Sequence, residues 1–364
     1  MVVKTLSLTN FRNYEQANLA PDRGVTVFTG PNAQGKTNIL EALHLCCLGR
    51  SHRTPRDEEL IRWGQHGAKV ALESLQSDGT HDVCVVLARG QKKKKLVRIG
   101  SRQAERIGEL LGHVRGVLFS PEDLQIVKSG PSERRRFIDM ELSQLYPAYF
   151  YELQRAARTM NQRNALLKEI ARQPSLLSTL DMWDEQLAAC GASIARYRRK
   201  AIESLCELAA QTHASLTGGR EALSLRYITQ TEEGDETGER LLARIKASRE
   251  EDLRRFVTSV GVHRDDIGVS IDGKDARTFA SQGQQRSAVL SIKLAQLELT
   301  ERESGEAPIL MLDDVMSELD PQRRRQLIER IDRVQTFVTC TDVSDLAGAK
   351  SSAIYRVENG RLLT

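Results

Sequence analysis

Val25-Thr26-Val27-Phe28-Thr29 leads directly into Gly30-Pro31-Asn32-Ala33-Gln34-Gly35-Lys36-Thr37, and these thirteen residues decide how the chain is read. A short β-branched run meets a loop that fits G-x-x-x-x-G-K-[ST] without a gap. The apolar series Ile39, Leu40, Ala42 and Leu43 that follows suits a helix. Strand, loop and helix in that order predict a phosphate cradle. The loop's backbone N–H groups then face α and β phosphates at the helix N-terminus. Lys36 is placed to reach the β and γ phosphates, and Thr37 to offer its hydroxyl to Mg²⁺.

Two distant stretches complete the chemistry. Ile309-Leu310-Met311-Leu312-Asp313-Asp314 is an apolar strand that delivers two carboxylates at its C-terminal end. Asp313 is expected to hold the metal and Asp314 to polarise the attacking water. Ser281-Gln282-Gly283-Gln284-Gln285 precedes the apolar helix 288–299 and predicts a second phosphate-binding helix end. One nucleotide cannot easily use two such ends from a single chain. Two copies facing each other can, each lending its Ser281 end to the γ-phosphate held by its partner. The expectation is therefore a homodimer closed by a bound nucleoside triphosphate and Mg²⁺. Lys36, Asp314 and Ser281 are the catalytic candidates, and Gly283 and Gln284 join the nucleotide contacts.

Composition narrows the partners. The chain has 364 residues, 53 Lys+Arg against 49 Asp+Glu, and only 5% aromatics. Few aromatics disfavour a nucleic-acid reader that stacks bases on its surface. A binder of phosphate backbones needs only a local basic patch. Residues 86–136 hold thirteen basic and five acidic residues, a local net of +8 in a chain of +4. DNA contact is expected from Lys92, Lys93, Lys94 and Lys95, from Arg134, Arg135 and Arg136, and from Arg198-Arg199-Lys200. No 18-residue apolar run predicts a transmembrane helix. The start, MVVKTLSLTNFRNY, has no apolar signal core, so a cytoplasmic location is expected. The six cysteines form no CxxC pair and read as reduced.

The coarse pattern is α/β, with strand-rich ends around a helical insertion. Residues 2–9 alternate and predict an edge strand. Residues 68–75 and 82–89 predict a hairpin joined at Ser77-Asp78-Gly79. From 132 to 210 two apolar series step by threes and fours, with one skipped turn at Arg163. They predict an antiparallel helical hairpin, each arm about 30 residues, broken near Gln173-Pro174-Ser175. The expected divisions are 1–130, 131–260 and 261–364.

These motifs together resemble the ATP-binding-cassette ATPases, in their chromosome-maintenance branch with the Rad-fifty and SMC proteins, and within it the RecF family. Walker A is Gly30–Thr37, the signature Ser281–Gln285, Walker B Ile309–Asp314 and the D-loop Ser317-Glu318-Leu319-Asp320. Closer matches are Leu8–Tyr14, Phe119–Leu124, Pro131–Asp139 and His263-Arg264-Asp265-Asp266. The resemblance implies an ATPase head with an inserted helical lobe. It implies ATP-driven dimerisation on DNA, slow hydrolysis that releases the dimer, and RecR and RecO as partners. It further implies recombinase loading at gaps, replication restart and SOS induction.

By the same resemblance Arg12 and Asn13 touch nucleotide phosphates. Thr341 stands where a switch histidine is expected, and Asp314 replaces a glutamate, so fast hydrolysis is not expected. The Q-loop glutamine is absent near Ser120, with Glu122, Asp123 or Gln125 as substitutes. Gly261-Val262-His263 departs from a family preference for Pro before the His. A small-molecule kinase or GTPase would need a specificity element such as N-K-x-D, which is absent. An adaptor with a vestigial nucleotide site is opposed by the intact Lys36, Thr37, Asp313 and Asp314. A transporter ATPase would carry LSGGQ where this chain has SQGQQ.

Overall fold

The computed structural model describes residues 1–90, 94–235, 237–331, 333–346 and 351–363. Lys92 and Lys93 lie outside the described residues. The chain forms two compact units. The first comprises Met1–Leu124, Ser215–Gly219 and Val289–Thr364, and the second Gln125–Ala214 and Arg220–Ala288.

The first unit is built on two sheets. One has the order Arg361–Leu363, Ser351–Glu358, Val25–Thr29, Thr336–Cys340, Ile309–Asp313, Gly116–Phe119. Its strands run parallel apart from the terminal hairpin. Ile309–Asp313 and Thr336–Cys340 are buried at every residue, as a parallel sheet covered on both faces requires. Helix Lys36–Leu48 packs on this sheet. Val27, Leu310, Leu312 and Val338 share a core with Leu294 and Leu327.

The other sheet is antiparallel, in the order Tyr14–Leu19, Val2–Phe11, Gly67–Gln76, Gly79–Ala88, Lys95–Ile99, Arg102–Gln103. The expected hairpin is there, turning at Ser77-Asp78. The expected edge strand is not at the edge. Val2–Phe11 pairs on both sides, because its alternation buries Val3, Leu6, Leu8 and Phe11 while the shorter Tyr14–Leu19 takes the rim.

The second unit holds helices Pro131–Leu145, Pro147–Ile170 and most of Leu180–Thr217. The antiparallel seam is real. Tyr149 meets Tyr197, Met160 packs with Leu187, and Leu166 shares a cluster with Leu180. The first arm is not one helix, since Pro147 lacks the N–H that would continue Pro131–Leu145 and starts a new helix instead. The skipped turn at Arg163 also has a cause. Arg163 is fully buried and bonded to Asp184 (2.6 Å) and Asp252 (2.7 Å), so an ion pair fills an apolar position of the seam.

Residues 261–288 were expected with the ATPase end. Their contacts put them in the helical unit, where Asp266–Ile271 pairs antiparallel with Leu223–Ile228. Arg134 grips Asp266 there through bonds of 2.6 and 2.8 Å. The contact boundaries thus fall at 124/125 and 288/289, with Ser215–Gly219 returned to the first unit, rather than at 130/131 and 260/261.

Candidate functional site

The phosphate loop leaves strand Val25–Thr29 with Gly30 at φ 143° and enters the helix through Gly35 at φ 115°. A Cβ on Gly30 would lie 2.6 Å from the Val357 carbonyl, and one on Gly35 2.7 Å from the Asn13 side chain. Both glycines are therefore required by backbone shape and by space. No side chain caps helix Lys36–Leu48, and its Asn38 N–H donates to the Gly35 carbonyl at 3.0 Å. A cleft of about 870 Å³ opens over this loop, a size suited to a nucleotide. It is lined by Lys36, Thr37, Asp313 and Asp314 from the predicted motifs, and by Arg12 and Asn13.

Lys36 is buried, and its Nζ donates to the carbonyls of Gly30 (2.5 Å) and Pro31 (3.0 Å). Burial lowers its pKa, while the charges of Asp314, Cys340 and Asp313 oppose that fall. Thr37 Oγ1 donates to Asp313 Oδ1 at 2.8 Å. Thr339 Oγ1 donates to the same oxygen at 2.7 Å and accepts from the Asp314 N–H at 3.0 Å. Thr339 is a site residue that motif reading missed. Its only signal is register, since parallel pairing sets Thr339 opposite Asp313. Asp314 sits at φ 54°, a left-handed conformation uncommon outside glycine, and Ser317 Oγ donates to its carbonyl at 2.9 Å.

The donor set fits a hard divalent cation. Thr37 Oγ1 and Asp313 Oδ1 are oxygen donors already side by side. Among the described residues no cluster of three or more His, Cys, Asp or Glu could hold a metal. A cation here would take its remaining ligands from phosphate oxygens and water, as Mg²⁺ commonly does.

The flanking residues are placed differently from expectation in one respect. Asn13 Nδ2 donates to the Gln34 carbonyl at 2.7 Å, inside the loop. The Arg12 guanidinium, however, is turned onto Glu41 in a bidentate pair (2.7 and 2.7 Å) and onto the Glu59 carbonyl (2.9 Å). Three of its five N–H donors are engaged by the protein, and it still lines the cleft. Glu41 is fully buried; burial pushes its pKa up, but hydrogen bonds from Arg12 and Ser51 outweigh that and hold it low. Arg53, which donates to Asn38 at 3.0 Å, is a more open cation of the cleft.

Thr341 lies exposed just past strand Thr336–Cys340 and accepts through its carbonyl from Thr29 Oγ1 at 3.4 Å. Of the Q-loop candidates, Asp123 caps the Ser120 N–H (2.8 Å) and pairs with Lys293 (3.5 Å). Gln125 accepts from Ser129, and Glu122 is exposed. The signature loop belongs to the second unit. Ser281 is exposed and caps helix Gln282–Ser304 reciprocally: Gln284 N–H donates to Ser281 Oγ at 3.3 Å, and Ser281 N–H to Gln284 Oε1 at 2.9 Å. A Cβ on Gly283 would meet only Ser281 Oγ, at 4.0 Å, and the Gly283 carbonyl accepts from Ser287 Oγ at 3.0 Å.

The basic candidates divide. Lys94 pairs with Glu58 and Lys95 with Asp57, each at a heavy-atom distance of 2.8 and 2.7 Å respectively. Arg134 is buried on Asp266, and Arg135 donates to the Asp265 carbonyl at 2.6 Å. Arg198 is buried between Asp139 and Asp265. Arg134 and Arg198 are buried among carboxylates and brace the helical unit, which corrects their expected place on a DNA surface, while Arg135 is half-buried.

A family model described as the RecF/RecN/SMC N terminal domain matches residues 2–361. The "DNA replication and repair protein RecF" of Acetivibrio thermocellus is 42% identical over 368 residues, covering 99% of either chain. A solved structure of the recombination mediator protein RecF-ATP in the RecFOR pathway shares 33% identity. It superposes with a TM-score of 0.92 over 100% of this chain and 97% of that one. The Smc head domain of Pyrococcus furiosus, at 17% identity and a TM-score of 0.58, shares the fold.

Proposed function

The chain belongs to the RecF/RecN/SMC N-terminal domain family, and from that premise we propose an ATP-gated, DNA-binding recombination mediator. It is an ABC-type ATPase head with a helical insertion. In the proposed cycle ATP draws two copies together on DNA, and slow hydrolysis lets them go. This would help load the recombinase at gaps and support recombinational repair, replication restart and SOS induction, in the cytoplasm, with RecR and RecO as partners.

The residues have distinct tasks in this reading. Lys36 exchanges two carbonyl acceptors for β and γ phosphate oxygens, which are stronger, charged acceptors. Thr37 and Asp313 would hold Mg²⁺, which when bound neutralises phosphate charge. Thr339 fixes the Asp313 carboxylate and the Asp314 backbone together, so that the second carboxylate is aimed before a water arrives. Asp314 takes the proton of that water. Its short side chain and the absence of an imidazole at Thr341 favour slow turnover, suited to a timer. Ser281 of a second copy would close over the γ-phosphate. Salt-sensitive contact with DNA backbone is assigned to Lys92–Lys95, where phosphates compete with Glu58 and Asp57 for Lys94 and Lys95.

The observation that carries the proposal is the Thr37–Asp313–Thr339 cluster at the mouth of an uncapped phosphate-loop helix. It is tested by sedimentation and turnover with Mg-ATP. Asp314→Asn should accumulate the dimer while turnover falls to background, and Ser281→Arg should bind ATP without dimerising. Unchanged turnover in the first variant removes Asp314 from its role. Normal dimers in the second contradict the two-copy site.

A further inference from the structure

Gln34 fills a variable position of the phosphate loop, yet a turn 325 residues further along the chain grips it twice. The Asn359 N–H donates to Gln34 Oε1 at 2.7 Å, and the Gly360 N–H donates to the Gln34 carbonyl at 3.1 Å. Asn13 Nδ2 donates to that same carbonyl at 2.7 Å.

The shape of the turn explains why it can do this. Asn359 (φ 46°) and Gly360 (φ 71°) are both left-handed, the pattern of a two-residue hairpin turn, and Glu358 pairs with Arg361 to close it. Such a turn leaves the N–H groups of its two central residues outside the ladder, and here both go to Gln34. Strand Ser351–Glu358 runs parallel to Val25–Thr29 and carries the turn along the outside of the loop. Val357 meets Gly30, and Gly360 meets Asn13. Gly360 is buried, and a Cβ there would collide with the Asn13 carbonyl. Only glycine lets the two backbones come so close at this φ.

The contact also has a direction. In a trans peptide the C=O and the next N–H point opposite ways. With the Gln34 carbonyl drawn outward onto Gly360 and Asn13, the Gly35 N–H points inward, to the cleft that Gly35 lines. We propose that the Asn359–Gly360 turn is a positioning clamp for the phosphate loop, holding Gln34 from outside so that the Gly35 N–H is aimed before a triphosphate arrives. This role rests on the nucleotide reading of the cleft and adds the element that presets it. A preset loop loses less freedom on binding, so the clamp acts on affinity for phosphates and is blind to the base.

The test uses the full chain, with ATP and inorganic tripolyphosphate, each with Mg²⁺, as probes. A matched control exists in the other unit. Asp272 (φ 51°) and Gly273 (φ 76°) form the same kind of turn, and a Cβ on Gly273 would meet nothing within 4 Å. Gly360→Ala and Gly273→Ala both impose left-handed strain, but only the first pushes its turn off a neighbour. By calorimetry, Gly360→Ala should bind both probes roughly 10-fold more weakly, and Gly273→Ala should match the unmutated chain. In turnover the loss should fall on KM, with kcat little changed. Gln34→Leu removes one acceptor and leaves the hairpin sequence intact, so it carries the test if Gly360→Ala does not fold. It should weaken both probes roughly 3- to 10-fold. Parental affinity in either variant overturns the clamp. So does equal weakening in Gly360→Ala and Gly273→Ala, which would report a general loosening of the fold. A loss confined to ATP, or confined to kcat, overturns it as well. An unmutated chain that binds neither probe would instead refute the nucleotide reading itself.

Discussion

The first unit buries a lysine and the second buries an arginine, and their partners differ. Arg163, with no exposed surface, donates to the carboxylates of Asp184 and Asp252 and to the Thr258 hydroxyl at 2.6, 2.7 and 2.9 Å. Lys36 donates to two backbone carbonyls of its own loop. A cation neutralised by carboxylates is finished, since any newcomer must beat a charge-assisted bond in a dry interior. A cation resting on neutral carbonyls is exchangeable, since a phosphate oxygen offers it more. The first arrangement braces a helical seam, and the second waits for a ligand.

The largest effect that can break this contrast is on stability. Arg163→Ala leaves buried Asp252 without its cation and Asp184 with Arg249 alone, and should cost about 3–5 kcal/mol. Denaturant unfolding measures it, and a loss below about 1 kcal/mol would mean the seam does not depend on that pair. A middle-sized effect belongs to the site. Thr339→Val removes one hydrogen bond to Asp313 and the acceptor of the Asp314 N–H, at about 1–3 kcal/mol. It should appear as a roughly 10- to 100-fold fall in kcat with KM much less changed. A change confined to KM would make Thr339 a binding residue only.

The smallest effect tests the mount of Arg12. Glu41 is held below the ordinary glutamate value in the folded chain. Its stabilisation is thus present above the unfolded value and lost as pH falls through the lower folded one. Glu41→Gln should cost about 1 kcal/mol at neutral pH, and the acid limb of its stability profile should be shallower. An acid limb as steep as that of the parent would assign the pH dependence to other carboxylates.

Residues whose chemistry is local were legible from sequence. Gly30–Thr37 and Ile309–Asp314 carry their meaning in consecutive residues and reappear together in one cleft. Thr339 was not, because only the parallel register sets it beside Asp313. Arg163 was visible only as a fault in an apolar period, and the partner Asp252 that explains it comes from a different helix. Charge runs misled for the same reason. Arg134 and Arg198 read as surface until the fold supplies Asp266, Asp139 and Asp265.

The central claim is that Lys36 is held in reserve for a triphosphate. Calorimetric titration of the unmutated chain and of Lys36→Ala with Mg-ATP, beside denaturant unfolding of both without nucleotide, tests it most directly. The account predicts saturable binding that weakens roughly 100-fold in the variant, about 2–3 kcal/mol, while stability stays equal or rises. Equal affinity in the two proteins, or a variant that unfolds as Arg163→Ala should, would contradict it.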